Sequence, residues 1–280
     1  LACEEAARII LSENRPFSME TAACDEEYEP SSEYDSSFAL QIFAAREAVF
    51  KILAKESLSI HEKLIVILDM GSKIQQCINT DEYDNIKSVV NDYLKEGIAH
   101  TLDETRNLSD SGQFEDISLQ QGIRQILYPY EEMEVLNPEW EVILKDIIDS
   151  LFEQMSDEEY NILNEEFGTY MVSRAYEYRQ LLEYLVFRYF AKSIYDYDFL
   201  GKCQMLVTNF FVIRQMDIIR WLDNHREYSF KDRMDVVHIF SRQVEYSEDN
   251  IENLYEDFIF DDIFKTDSLI AILWIDSENI

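Results

Sequence analysis

Two arginines stand among apolar residues, where a guanidinium finds little water: Arg188 inside Val186-Phe187-Arg188-Tyr189-Phe190, and Arg214 directly after Phe210-Phe211-Val212-Ile213. A cation so placed either reaches back to solvent along its own stem or is paired in the interior. A paired one holds a structural carboxylate such as that of Glu183, or it grips the carboxylate of a ligand; the sequence leaves both open. With Tyr184, which lies between Glu183 and Arg188, these are the residues expected to bind a substrate or cofactor. The surrounding stretch is aromatic, with ten Tyr or Phe residues from Tyr170 to Phe199. Aromatic faces beside carboxylates can cage an alkylated ammonium. The same rings at helical spacing also pack a core.

Other chemistry is absent from the spacing. There is no His-Glu-x-x-His, no Walker loop and no Gly-x-Gly-x-x-Gly. His61-Glu62 resembles the first half of a zinc-protease motif, but position 65 is Ile, and Ser59 with Glu62 forms a helix-capping box instead. His100, His225 and His238 lack metal-ligand spacing, and no hydroxyl lies in a nucleophile elbow. No catalytic residue is assigned. Cys3, Cys24, Cys77 and Cys203 are far apart and form no Cys-x-x-Cys, so neither a disulfide framework nor a zinc site follows. Free thiols of this kind suit a reducing, cytoplasmic compartment.

The elements that must carry these residues are helices. Of 280 residues, 47% are hydrophobic, enough for a real core, yet only 6 are Gly and 4 are Pro. All-β folds need many turn residues and doubly wound α/β folds need Gly-rich corners. The expected fold is therefore all-α, an irregular array of roughly ten helices. Charge excludes partners. With 24 Lys and Arg against 57 Asp and Glu, the formal charge is −33, a field that repels nucleic-acid phosphates and anionic lipids and favours basic proteins. From Tyr170 to Glu245, however, 11 basic residues face 10 acidic ones, so the aromatic stretch is nearly neutral inside an acidic shell. No apolar run approaches the ~18 residues that span a membrane. Glu4, Glu5 and Arg8 interrupt any signal-peptide pattern, and the start at Leu1 is that of a fragment of something longer.

Apolar spacing places the helices. A short one covers Cys3 to Leu11, followed by an acidic linker, so residues 1–37 are read apart from a helical domain at 38–280, with a subdivision near 129–138. Helices are expected over Phe38 to Lys55, after the Ser59 box, after Thr80 or Asp81, and over Ile117 to Leu127 before Pro129. More follow from Asn137-Pro138 and from the Ser156 capping box, where Gly168 can bend or break the helix. Tyr170 to Tyr195 reads as one long helix. Phe199 to Leu222 is apolar nearly all round, as a central buried helix would be. Ser229 and Ser247 open two more, the first running to Tyr246, and Leu269 to Ile275 closes the chain as a helix or, less in keeping with the rest, a strand.

Against this background Ala2-Cys3-Glu4-Glu5-Ala6-Ala7-Arg8-Ile9-Ile10-Leu11 resembles a segment of the bacterial flagellin lysine-N-methylase family, where it reads Ser-Cys-Pro-Glu-Ala-Ala-Arg before apolar residues. Ser57-Leu58-Ser59 with its helix, the aromatic helix from Tyr184 to Phe190, and Ser241-Arg242 through Glu245-Tyr246-Ser247 are similar in character. Glu4 replaces the usual Pro, and Tyr246 stands where His is frequent. The resemblance implies methyl transfer from S-adenosylmethionine to the ε-amine of flagellin lysines, with this chain as the carboxy-terminal helical portion contributing substrate docking. It further implies a cysteine-rich region upstream holding a metal or iron-sulfur centre. Cys3 matches the last cysteine of that pattern, as a ligand or neighbour of the centre, and alone makes no site. The competing reading is a non-catalytic acidic helical module that binds a basic protein partner.

Overall fold

The apolar repeats fold as helices throughout the computed structural model, which describes residues 1, 3–15, 36–110 and 117–278. In chain order come α1 (Glu4–Leu11), α2 (Ser36–Leu53), α3 (Ile60–Asn79), α4 (Ile86–Asp92) and α5 (Ile98–Asp110). Next are α6 (Leu119–Glu131), α7 (Pro138–Ile147), α8 (Asp157–Met171), α9 (Ala175–Tyr189) and α10 (Ser193–Asp196). The last four are α11 (Phe199–Asp223), α12 (Phe230–Phe240), α13 (Glu248–Phe260) and α14 (Thr266–Glu278). No strand occurs among the described residues, so the chain is all-α. Three π-helical turns, at Tyr93–Gly97, Ile148–Glu153 and Ser241–Glu245, and several short 3₁₀ segments divide the expected helices into more and shorter pieces. Most of the expected acidic linker, and Cys24 within it, lies outside the described residues.

Local chemistry sets the boundaries. The hydroxyls of Ser59, Ser156 and Ser229 each accept the N–H three residues on, while Glu62, Glu159 and Asp232 reach back to the cap's own N–H, so all three are full capping boxes. Asn137 caps α7 with Pro138 in its first turn. Three expectations need correction. Neither Thr80 nor Asp81 caps the next helix: the Thr80 hydroxyl donates back to the Gln76 carbonyl at 3.0 Å, and Asp81 takes a left-handed φ of 58°. Pro129 does not end α6 but sits inside it, where the missing N–H costs one bond near a C-terminus, and the Trp140 indole N–H donates to the Tyr130 carbonyl at 3.2 Å. The long helix read from Tyr170 to Tyr195 is broken by 3₁₀ segments at Val172–Arg174 and Phe190–Lys192, whereas α8 runs unbroken through Gly168.

The expected central helix is α11. Every residue from Gly201 to Ile219 is buried, and α3, α6, α7, α9, α12, α13 and α14 all pack against it. Several of its polar residues are bonded where they lie: the Tyr130 hydroxyl reaches Thr208 and Asn209 at 3.0 and 2.8 Å, and the Tyr160 hydroxyl donates to Gln215 at 2.9 Å. Apolar side chains from Leu1 to Trp274 form one continuous core.

Where α3 crosses α11 the two backbones meet at Gly71. A Cβ there would fall 2.5 Å from the Cys203 sulfur and 3.2 Å from its Cβ. Overpacking of this kind costs about 1–3 kcal/mol, set against the ~1 kcal/mol that alanine gains over glycine inside a helix. Gly71→Val, which adds bulk without that propensity gain, is therefore expected to lower the denaturation midpoint clearly. Adding Cys203→Ala should restore part of the loss. If the double variant is no more stable than Gly71→Val alone, the contact does not set the packing.

Candidate functional site

Tyr184 and Arg188 lie one turn apart on α9 and face the π turn that extends α12. Glu245, the last residue of that turn, faces α9. The Tyr184 hydroxyl donates to Glu245 Oε2 at 2.8 Å, and Arg188 Nε lies 3.1 Å from the same oxygen. Arg188 also donates to the Tyr189 hydroxyl at 2.9 Å and to the Glu245 carbonyl at 3.3 Å. Burial, reinforced by the Glu245 charge, pushes the Tyr184 and Tyr189 phenols well above their ordinary range. This is a dense junction that fastens α9 to the π turn after α12.

The other expected site residues go elsewhere. Glu183 is one residue from Tyr184, so it points about 100° away around the helix. Arg179 donates to its Oε1 at 3.2 Å, while Oε2 is buried with no partner. Burial raises the Glu183 carboxyl above its usual value and lowers the nearby Lys63 ammonium. Arg214 is buried in α11, donating to the Asn164 carbonyl at 3.2 Å and lying 3.8 Å from Asp276 Oδ1, whose other oxygen is 2.7 Å from His61 Nε2. The structure thus brings Tyr184 and Arg188 together and places Glu183 and Arg214 in two separate internal contacts. Cys3 is exposed at the start of α1, and no group of three or more His, Cys, Asp or Glu side chains among the described residues could hold a metal ion.

The rings near α9 meet the chain's own cations. Arg233 is fully buried over the Tyr178 ring, 4.5 Å from its centroid, and pairs with Glu177 at 2.9 Å and Asp217 at 2.6 Å. Tyr178 and Tyr228 both donate to Asp217. Arg174 clamps Glu177 from its other side at 2.7 and 3.0 Å.

A cleft of about 710 Å³ opens on the far side of α12. Its floor is α11 and its walls are α7 and α12. Five carboxylates line it, those of Glu4, Glu139, Asp146, Asp223 and Asp235, against two guanidiniums, Arg220 and Arg242. Apolar surface comes from Val142, Ile143, Ile219 and Ile239. Gln243 bonds the Asn137 N–H, so α7 begins beside the π turn. Asn224 donates to Asp232, which puts the end of α11 beside the start of α12. Arg242 therefore marks one end of the cleft, and Asp146 and Asp223 lie toward the other. No part of this cleft was singled out from the sequence, because its lining comes from four helices far apart in the chain. Only Glu4 in the Ala2–Leu11 segment and Arg242 in the Ser241–Ser247 segment carried a signal, both through the family resemblance.

A family model described as FliB lysine N-methylase C-terminal domain matches residues 46–272. That range holds the whole cleft except Glu4, together with Tyr184, Arg188 and Glu245. No curated protein and no solved structure matches the chain.

Proposed function

Because this chain belongs to the FliB lysine N-methylase C-terminal domain family, we propose that it is the helical portion of an enzyme that methylates flagellin lysines from S-adenosylmethionine, and that it docks the lysine-bearing segment in the cleft between α7 and α12. The observation that carries this reading is the cleft itself. Glu139, Asp146 and Asp223 are exposed on its rim and make no ion pair among the described residues. A lysine can lay its alkyl stem along Val142 and Ile143 while its ammonium reaches a rim carboxylate. Attack requires the ε-amine to lose its proton, and carboxylates on the cleft rim can accept it. When bound, the donor supplies an electrophilic methyl group on a sulfonium.

The test is binding of a lysine-bearing flagellin peptide to this chain, read by fluorescence anisotropy over a range of salt. Asp146→Asn with Asp223→Asn is expected to weaken it at least fivefold, about 1 kcal/mol, and to flatten its salt dependence. Unchanged affinity in the double variant would refute docking at this place. The second reading, a non-catalytic module for a basic partner, is favoured by the junction at Glu245, whose carboxylate is already held by Tyr184 and Arg188. Peptide binding that never responds to the methyl donor in the longer protein would favour that module.

A further inference from the structure

Arg242 is an anomaly of charge. With 57 acidic residues against 24 basic ones, any arginine has carboxylates within easy reach. Every other arginine among the described residues has a carboxylate, carbonyl, hydroxyl or ring partner. Arg242 has none, although Glu4 and Glu139 line the same cleft.

Its backbone is nonetheless fixed. Its neighbours on the π turn are buried and two of them are anchored: Glu245 to α9 through Tyr184, and Gln243 to the N–H groups of Leu136 and Asn137 and to the Glu134 carbonyl at 2.7–3.2 Å. One turn earlier His238 lines the same wall, with its Nδ1 buried and bonded to nothing. A cation and an unsatisfied ring nitrogen thus stand at one end of the cleft. Asp146 and Asp223 stand toward the other, about 10 Å away by the rise of α12 from Asp235 to Arg242.

A purely basic peptide would match the carboxylates and leave Arg242 facing its like. The ligand that satisfies the whole cleft carries an anion at one end and cationic or hydroxyl donors further along. We propose that the Arg242 end of the cleft binds the amino-acid end of the methyl donor, the guanidinium taking its α-carboxylate in a two-pronged contact. A planar fork of N–H donors suits a carboxylate in that way. The donor's ammonium, sulfonium and ribose hydroxyls suit the carboxylates of Glu4 and Glu139, and its base the apolar surface of Ile219 and Ile239, which leaves Val142 and Ile143 to the lysine stem. The volume lies within the roughly 300–1,000 Å³ of small-molecule sites. The identity of the ligand rests on the reading of the chain as part of a lysine methylase; the need for a ligand of mixed charge does not. Lysine docking toward Asp146 and Asp223 leaves the Arg242 end free, so amine and methyl group can meet between them.

The test is calorimetry of this chain with S-adenosylhomocysteine, the unreactive product of methyl donation, and with adenosine, which lacks the amino-acid end. S-adenosylhomocysteine should bind, and Arg242→Gln should weaken it at least tenfold, with Arg242→Lys between the two. Adenosine should bind more weakly and identically to all three proteins. Arg242 is exposed, so the variants should unfold at the wild-type temperature, which a thermal scan checks. Equal S-adenosylhomocysteine affinity in wild type and Arg242→Gln overturns the assignment, and so does a folded chain that does not bind it. If in that case the flagellin peptide still binds and still responds to Asp146→Asn with Asp223→Asn, lysine docking survives while the donor assignment falls. S-adenosylhomocysteine binding that depends on Arg242, with no peptide binding, sustains the donor assignment and removes lysine docking from this cleft.

Discussion

Replacing Arg233 with methionine should remove about 3–5 kcal/mol of folding stability, the usual loss when one partner of a buried ion pair is deleted, with a fall in the melting temperature on the order of 10 °C. Arg233 has no exposed surface and joins Glu177 of α9 to Asp217 of α11 from its own place on α12. Methionine fills similar volume, so the loss is electrical. Glu177 keeps Arg174, at 2.7 and 3.0 Å, whereas Asp217 keeps only the hydroxyls of Tyr178 and Tyr228. Burial already lifts the Asp217 carboxyl above its ordinary value, against the pull of Arg233 and the two phenols. Without the guanidinium it should rise further. A carboxyl raised in the folded state contributes stability below its unfolded value of about 3.8 and loses it as pH climbs through the folded value. The variant's deficit should therefore be smaller at pH 5 than at pH 8. Adding Asp217→Asn and Glu177→Gln should recover part of the loss, because a region emptied of charge is tolerated better than half a pair. Denaturant unfolding at the two pH values decides it, and a loss under 1 kcal/mol would mean that the network contributes little.

The second large effect is at Asp276, where α14, α3 and α11 meet. This carboxylate is buried against His61 at 2.7 Å and Arg214 at 3.8 Å. Burial alone would raise its pKa, but the charges of Arg214 and His61 and the hydrogen bond to His61 together hold it below the ordinary value. A depressed carboxyl contributes stability above its unfolded value and loses it as pH falls through the folded one. Asp276→Asn should cost about 3–5 kcal/mol near neutrality, since it strands the Arg214 guanidinium in the core. The gap between the two proteins should begin to close only below about pH 3.8. Acid unfolding curves that run parallel down to pH 2 would show that this carboxylate does not titrate as the geometry requires.

What the sequence made legible was local. Ser59, Asn137, Ser156 and Ser229 declare their helices because a cap and its partner are three residues apart at most. The buried axis at Phe199 to Leu222 is visible because no face of it is polar. Pairings across the fold were not visible. Arg188 finds Glu245 57 residues away and Arg233 finds Glu177 56 away, and among so many acidic residues no spacing marks the right one. Local context also misplaced Glu183, whose neighbour Tyr184 faces the junction while it does not. The π turn at Ser241–Glu245 is hidden for a different reason. It is a slip in the hydrogen-bond ladder, decided by what Gln243 and Glu245 reach from it, and apolar spacing near 3.6 passes straight through it.

One property of α11 bears on how anything enters the cleft. The same helix is both the cleft's floor and the axis on which the surrounding helices pack. No half of the molecule can swing against another without exposing that axis, so access cannot come from two lobes parting like jaws. Entry is left to rim side chains rotating in nanoseconds, and whatever settles there is tied to the one cooperative unit of the protein. A bound molecule should then slow amide hydrogen exchange across the whole core, α3 and α14 included, rather than along the cleft alone.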